Sequence, residues 1–239
     1  MKAAREGDPD AQVAMGYMFF KGDGVGQDRR EAARWFGLAA DQGNAEALCN
    51  LGHMRAHGEG IRMDLDKALE LYRKSAELGY PRAMFNLGFM YTDVVGVEQD
   101  WAEGYRWYSK AAEAGNLLAL YRVAVMDEEG RGVPADLGKA AAGYRECLDH
   151  GHPKAGYRLG MMHLEGRGVP KNPGKAVSCF SKAAGLGSDE AMLMLGRLSL
   201  TGEGMVLSRR NAEKWLRMAA GRGNKEASEV LESMRSGSA

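Results

Sequence analysis

The amino-acid sequence predicts an all-α protein, a right-handed superhelical solenoid of antiparallel helix pairs. Glycines recur every 36 residues in three separate registers, and residues that cap helix amides occur twice in each period. Between these caps, apolar residues follow one another at three- and four-residue steps, which is the spacing of one helix face. One such helix pair cannot bury its apolar face alone, so consecutive pairs are expected to stack into an elongated solenoid.

The glycine registers define the repeats. The first register ends each repeat and comprises Gly7, Gly43, Gly79, Gly115, Gly151, Gly187 and Gly223. It predicts six 36-residue repeats at 8–43, 44–79, 80–115, 116–151, 152–187 and 188–223, with half-repeats outside them. We expect a single domain over 1–239, closed by a capping helix over 224–236, in which Glu232 occupies the position of a packing glycine.

Each repeat contains two helix starts. The first helix follows Asp8, Asn44, Tyr80, Asn116, His152, Ser188 or Asn224, and the second follows Asp28, Asp64, Asp100, Asp136, Asn172 or Ser208. Most of these side chains can accept a hydrogen bond from the free amides of a helix start. The linker between the two helices reads Gly-x-Gly in five repeats, at 22–24, 58–60, 130–132, 166–168 and 202–204, and this pattern predicts a turn with positive φ angles.

The apolar pattern predicts how the helices pack. Ala47, Leu51 and Met54, with their equivalents in the other repeats, form one buried stripe on the first helix. The second helix carries a small residue and, four residues later, a ring or bulky side chain, as at Ala32 and Phe36. A glycine in the middle of each first helix costs about 1 kcal/mol relative to alanine, so we expect a neighbouring helix to press against it.

Two repeats depart from the pattern. The third reads Asp93-Val-Val-Gly96 where the others have a Gly-x-Gly linker, and the fourth has Gly143 and Cys147-Leu148 in its second helix. We expect local bends or looser packing at both places.

Composition limits the possible functions. Lys plus Arg and Asp plus Glu both number 32, so no net charge favours nucleic acid or an anionic membrane. No apolar stretch approaches the roughly 20 residues that cross a bilayer. The N-terminus lacks an apolar signal sequence, and the three cysteines are too few and too scattered for a disulfide framework. We expect a cytoplasmic monomer, or a periplasmic or secreted protein if a leader has been removed.

The second repeat has a specific resemblance. It reads Asn44-Ala-Glu-Ala-Leu-Cys-Asn-Leu-Gly-His-Met, then Gly58-Glu-Gly60-Ile, Asp64 and Lys67-Ala-Leu-Glu-Leu-Tyr. This resembles the Sel-one-like repeat family, relatives of the tetratricopeptide repeats, in six copies over residues 8–223. The resemblance implies a non-enzymatic scaffold or adaptor that binds a protein or peptide. In bacteria it further implies signalling, host interaction, envelope assembly or immunity against effectors.

Catalysis and metal binding have little support in the sequence. Cysteine-rich relatives of the family imply a β-lactamase-like hydrolase as an alternative, but no serine here has a lysine three residues on, and neither Ser-Asp-Asn nor Lys-Thr-Gly occurs. Cys49, His53 and His57 lie on one helix face, where adjacent members could share a metal ion. All three could not, because Cys49 and His57 would be about 12 Å apart along the helix axis. We therefore predict no catalytic residue, metal or cofactor.

Two other patterns favour structure over chemistry. The Gly-x-Gly linkers follow no strand and recur between helices, so they predict turns and not phosphate loops. The methionine row Met18, Met54, Met90, Met126 and Met162 is in register with the buried stripe, which predicts core packing.

The opposite side of the first helices is the predicted binding site. Positions 46, 49, 50 and 53 and their equivalents are expected to line a concave groove, with candidate residues Tyr17, His53, Arg82, Phe85, Phe89, Tyr121, Arg122, Lys154, Tyr157, Arg158 and Arg197. Rings interleaved with arginines are typical of interface hot spots. Cations outnumber Glu46 and Glu190 on this face, which predicts a partner with acidic and apolar side chains. Two alternatives stay open: the rings pack only against the next repeat, or they stack on single-stranded RNA.

Overall fold

A computed structural model describes residues 2–93 and 97–236. These residues contain helices and no strands, in the order α1 (Lys2–Arg5), α2 (Pro9–Lys21), α3 (Arg29–Asp41), α4 (Ala45–His57), α5 (Leu65–Glu77), α6 (Pro81–Asp93), α7 (Trp101–Glu113), α8 (Leu117–Glu129), α9 (Leu137–Asp149), α10 (Pro153–Glu165), α11 (Pro173–Gly185), α12 (Asp189–Thr201), α13 (Arg209–Ala220) and α14 (Lys225–Ser236). The all-α solenoid is confirmed. The capping helix predicted over 224–236 is α14.

The chain forms two compact units, Met1–Ala119 and Leu120–Ala239. In the first unit α2 packs with α3, α4 with α5 and α6 with α7, and α3 and α5 each also pack against the first helix that follows. In the second unit α10 packs with α11 and α12 with α13, and α9, α11 and α13 each pack against the helix that follows. The single domain predicted over 1–239 stays a prediction.

Helix starts are capped as the sequence indicates. At the second helices, an Asp28 oxygen accepts from two backbone amides, and Asp64 Oδ1 accepts from the Lys67 amide at 2.9 Å. At the first helices, Asn44 caps α4, and His152 Nδ1 accepts from the Ala155 amide at 3.3 Å. Each cap satisfies an amide that the helix itself cannot pair.

The linker glycines bring a repeat into contact with the preceding one. Gly58 and Gly60 both have positive φ, as predicted. Gly60 also lies so close to the preceding repeat that an added Cβ would stand 2.4 Å from the Arg29 carbonyl carbon. The second glycine of the linker is therefore required both by its φ angle and by the contact. The predicted irregular linker of the third repeat, at 94–96, lies outside the described residues.

A glycine on the first helix receives the ring of the second. A Cβ built at Gly160 would lie 2.4 Å from the Phe180 ring, and one at Gly16 would lie 2.5 Å from the Phe36 ring. Phe36 and Phe180 are fully buried, and at most 3% of the surface is exposed at Met54, Met90, Met126 and Met162. The predicted ring-on-glycine packing is confirmed. The stripe is less complete than predicted at Leu51 and Val123, which are half-buried, as is Met18.

The fourth repeat corrects an expectation of looser packing. Ala124 replaces the packing glycine there, and a Cβ built at Gly143 would lie 2.9 Å from the Ala124 Cβ. In this repeat the packing glycine is thus on the second helix, as Gly143, and its missing side chain leaves space for Ala124 of the first helix. Tyr144 and Cys147 remain fully buried, and α9 spans 13 residues like its counterparts.

Candidate interaction surface

The candidate residues lie on the first helices of each unit. We define the first-helix surface of unit 1 as Tyr17 of α2, His53 of α4 and Arg82, Phe85 and Phe89 of α6. The first-helix surface of unit 2 comprises Tyr121 and Arg122 of α8, Lys154, Tyr157 and Arg158 of α10, and Arg197 of α12. All of these side chains are half-buried or exposed.

Four positions assigned to the groove are instead buried. Val13, Cys49 and Leu193 are at most 6% exposed and belong to the core. Their position lies at the junction with the next repeat, where a short side chain is covered, whereas the equivalent rings of Phe85 and Tyr157 are large enough to reach the surface. Asn50 is only 5% exposed and holds neighbouring polar groups.

A pocket of about 450 Å³ opens on the first-helix surface of unit 1. Its walls come from α2, α4 and α6 together with the start of α8, so three consecutive repeats and the beginning of the next contribute to it. The lining is largely apolar and comprises Tyr17, Phe20, Lys21, Phe36, Asn50, His53, Met54, Arg82, Phe85, Asn86, Asn116 and Leu118. This volume lies in the range of pockets that hold small ligands or single side chains.

A hydrogen-bonded row crosses this pocket. The Asn50 amide donates to the Tyr17 hydroxyl at 2.9 Å, and Arg82 donates to the Asn50 carbonyl oxygen. The Tyr17 hydroxyl donates in turn to Glu46 at 2.7 Å. Burial, together with this bond to Glu46, raises the pKa of Tyr17, so the hydroxyl keeps its proton at neutral pH. The row fixes Arg82 through a buried amide and not through a carboxylate.

The possible metal ligands of α4 have other partners. The His53 and His57 rings lie 4.2 Å apart between centroids, and His57 Nδ1 is 2.9 Å from the His53 carbonyl oxygen. His53 Nε2 lies 3.6 Å from Glu59. Burial lowers the pKa of His53, and the neighbouring His57 and Arg82 lower it further. Within residues 2–93 and 97–236, no three His, Cys, Asp or Glu side chains converge as a metal site would require.

The rings of unit 2 are shared between the core and the surface. Tyr121 stacks on His152 with centroids 4.3 Å apart, and Tyr157 lies 6.1 Å from the buried Phe180. The alternative that the rings pack against their neighbours is therefore correct in part. Because these contacts already hold the rings in place, the rings would lose little side-chain entropy when a ligand covers them.

Sequence reasoning missed the polar centre of unit 2. The Glu128 side chain of α8 is only 6% exposed and accepts from the Tyr144 hydroxyl at 2.6 Å. Arg158 and Arg167 each donate to it at 3.1 Å. These partners are 16, 30 and 39 residues away in the chain, so they follow no single spacing that the sequence could show.

These contacts change the charge of the predicted surface. Arg158 is neutralised by Glu128, and Arg197 pairs with Glu226. Arg82, Arg122 and Lys154 form no ion pair with any residue that the structure describes. The surplus of positive charge is therefore smaller than the sequence suggests.

Comparison with known proteins agrees with this architecture. The Sel1 repeat model matches residues 9–44, 45–80, 81–116, 117–142, 153–188 and 189–224. The fourth match ends just before Gly143, where the repeat departs from the others. No curated protein sequence gives a significant match. Among the described helices, none is both long and apolar enough to cross a bilayer.

Solved structures show the same fold. A protective antigen of uropathogenic Escherichia coli with an SLR fold is 30% identical at a TM-score of 0.91, covering 96% of this chain and 49% of the antigen. The chain thus spans about half the length of that protein. A Sel1 repeat protein from Oxalobacter formigenes is 32% identical at a TM-score of 0.79, covering 90% of this chain and 89% of the other.

A more distant structure is similar in fold alone. The immunity protein PA5088 from Pseudomonas aeruginosa is 18% identical at a TM-score of 0.52, over 92% of this chain and 82% of its own. Proteins built from Sel1 repeats are generally scaffolds for protein interactions, and their helical fold is typically non-catalytic. On the six matched repeats and the two structural relatives at 30% identity or more, this chain belongs to the Sel1 repeat family.

Proposed function

We propose that this chain is a non-enzymatic scaffold that binds a protein or peptide through the first-helix surfaces of its two units. The observation that carries the proposal is the pocket of about 450 Å³ in unit 1, which is walled by rings and aliphatic side chains and bordered by cations. Concave, mostly apolar sites with a few fixed polar groups are the usual form of a binding site.

The composition of unit 2 supports the same function. Tyr121, Tyr157 and Arg122 are half-buried, so part of each side chain is available to a ligand. Tyrosine and arginine are enriched among the residues that dominate binding energy at interfaces. Arg122 and the exposed Lys154, which pair with no described carboxylate, favour a partner with acidic groups beside its apolar ones.

A double variant of unit 2 tests the proposal. The partner is first identified by cross-linking in the native host, and its affinity for the purified chain is then measured by calorimetry. We expect Tyr121→Ala with Arg122→Ala to weaken binding by about 30-fold, the effect of losing one hot spot worth about 2 kcal/mol.

The control carries Lys139→Ala with Arg145→Ala, two exposed cations on α9, a second helix of the same unit. It should bind within about twofold of the parent, since exposed charges away from an interface contribute little. Thermal melting of both variants verifies that they fold. Equal affinity of the Tyr121/Arg122 variant and the parent would show that this surface does not hold the partner.

A further inference from the structure

We infer that the pocket of unit 1 binds a linear peptide segment in which a large apolar side chain stands next to an Asp or Glu. The inference rests on the proposed function and deepens it, because it assigns the occupant of one pocket. Three features of the pocket carry it: an apolar floor and walls, two cations without acidic partners, and a buried amide that holds one of them in place.

The apolar part of the pocket is held in place by the core. Phe36 and Met54 form the floor and are 1% exposed, so their positions are set by the core. Phe85, which packs on Tyr108 at 5.4 Å between centroids, and Leu118, which is 56% exposed, form part of the wall. A large apolar side chain inserted here would remove exposed apolar surface from water on both sides, at about 25 cal/mol per Å².

The cations at the pocket have no acid of their own. Neither Lys21 nor Arg82 lies within ion-pair distance of a carboxylate in the part of the chain that the structure describes. Lys21 Nζ instead lies 5.8 Å from the centroid of the Tyr17 ring. The Glu46 carboxylate accepts a hydrogen bond from the Tyr17 hydroxyl and forms no ion pair with Lys21 or Arg82. A carboxylate on the ligand would therefore complete a charge pair that the protein leaves open.

Unit 2 provides the internal comparison. Lys154 occupies the repeat position of Arg82, and Arg158 occupies the position of Asn50, each two or three repeats later in the chain. In unit 2 the arginine is neutralised by the buried Glu128. In unit 1 the corresponding residue is a neutral amide that accepts from Arg82 and leaves its charge in place. Arg82 and Lys154 are both unpaired, but of the two it is Arg82 that a buried amide holds beside the apolar pocket, and we therefore assign the acidic ligand to unit 1.

The geometry of the cation favours specificity. Asn50 is 5% exposed and is itself held by Tyr17, so the guanidinium of Arg82 is anchored on one side. A guanidinium has five donors, and a carboxylate accepts two of them in parallel. An anchored arginine next to an apolar cavity should therefore favour peptides in which an Asp or Glu stands beside the inserted side chain over peptides in which a neutral or basic residue does.

The experiment uses a pool of random eight-residue peptides, acetylated and amidated so that terminal charges are absent, and the full chain as bait. Peptides retained by the chain are sequenced and their affinities measured by fluorescence polarisation. We expect enrichment of sequences that place Asp or Glu beside a large apolar residue. Absence of enrichment, or enrichment of neutral or basic sequences, would overturn the inference.

Charge-reversal variants then locate the site. Arg82→Glu should weaken the selected peptides at least tenfold and by more than the equivalent Lys154→Glu on unit 2. The control Arg30→Glu, at an exposed cation on the second helix α3, should change their affinity less than twofold. Arg82→Gln, which retains a donor for Asn50, should also weaken binding and guards against misfolding of the Glu variant. If only Lys154→Glu weakens binding, the pocket inference fails while the proposed function stands. If no variant has an effect, both fail.

Discussion

At the scale of single residues, a glycine on the first helix and a ring on the second determine how closely the two helices approach. The Gly16 backbone lies against the Phe36 ring, and a Cβ there would stand 2.5 Å from the ring edge. Gly37 lies in the middle of α3, and a Cβ there would meet no atom within 4 Å. Both glycines lie inside a helix, but an added Cβ would meet a neighbouring side chain at Gly16 and open space at Gly37.

This difference predicts opposite effects for the same substitution. Gly16→Ala should lower the free energy of unfolding by about 1–3 kcal/mol, because the ring must move in a packed core. Gly37→Ala should raise it by up to about 1 kcal/mol, because alanine is the better helix former. Urea denaturation of both variants measures the two changes. A stabilising Gly16→Ala would mean that the ring is not held against the helix.

A second residue-scale prediction concerns His163 of α10, which is 5% exposed. Burial lowers its pKa below 6.5, and the nearby Lys175 and Arg145 act in the same direction. Below the ordinary pKa the unfolded chain therefore binds a proton that the folded chain does not, so the free energy of unfolding decreases as pH falls.

The corresponding measurement is unfolding by urea at several pH values between 7 and 5. His163→Gln should show a shallower decrease than the parent, whatever its stability at pH 7. His53 and His152, whose pKa values are also lowered by burial, contribute equally to both proteins. Parallel curves for the parent and the variant would exclude His163 as a source of the pH dependence.

The sequence predicts residues well where the repeat period constrains them. Caps such as Asp64 and packing glycines such as Gly160 recur every 36 residues and could be located before the structure was known. The Glu128 cluster has no counterpart in other repeats, and its partners meet only through tertiary packing. The burial of Cys49 was missed for a similar reason, because the same position carries half-buried rings that reach the surface in other repeats.

At the scale of elements, each Gly-x-Gly linker joins the two helices of one repeat, and at 166–168 its second glycine contacts the preceding repeat. Gly166 and Gly168 both have positive φ, but they face different neighbours. A Cβ at Gly166 would meet Lys171 of its own linker at 3.1 Å, and one at Gly168 would meet the Leu137 carbonyl oxygen at 2.5 Å. Only the second glycine is confined by the start of α9, in the preceding repeat.

We predict that Gly168→Ala destabilises unit 2 more than Gly166→Ala does. Each variant places alanine in the left-handed region, at about 1–2 kcal/mol, and Gly168→Ala must also displace packed backbone, at a further 1–3 kcal/mol or so. Differential scanning calorimetry of the two variants gives the comparison. Equal losses would indicate that the linker does not depend on close contact with the preceding repeat.

At the scale of the whole molecule, two units of repeated helix pairs present two similar but chemically different surfaces. The period predicted six repeats, and six Sel1 repeats match the chain. Five matches are shifted by one residue from the predicted bounds, and the fourth covers 117–142 only. The chemistry of each surface could not be predicted from the period. The charge of each surface depends on single residues. In unit 1 Arg82 donates to the neutral Asn50 and keeps its charge unpaired, whereas in unit 2 Arg158 is paired with Glu128.

Site-specific photo-cross-linking in the native host tests the central claim most directly. A benzophenone amino acid is placed at Phe89 or Arg122 on the first-helix surfaces, or at the exposed Arg106 or Ser181 on second helices. If the first-helix surfaces hold the partner, one discrete adduct forms from Phe89 or Arg122, and neither second-helix position gives it. An adduct that forms from Arg106 or Ser181 but from neither first-helix position would contradict the account.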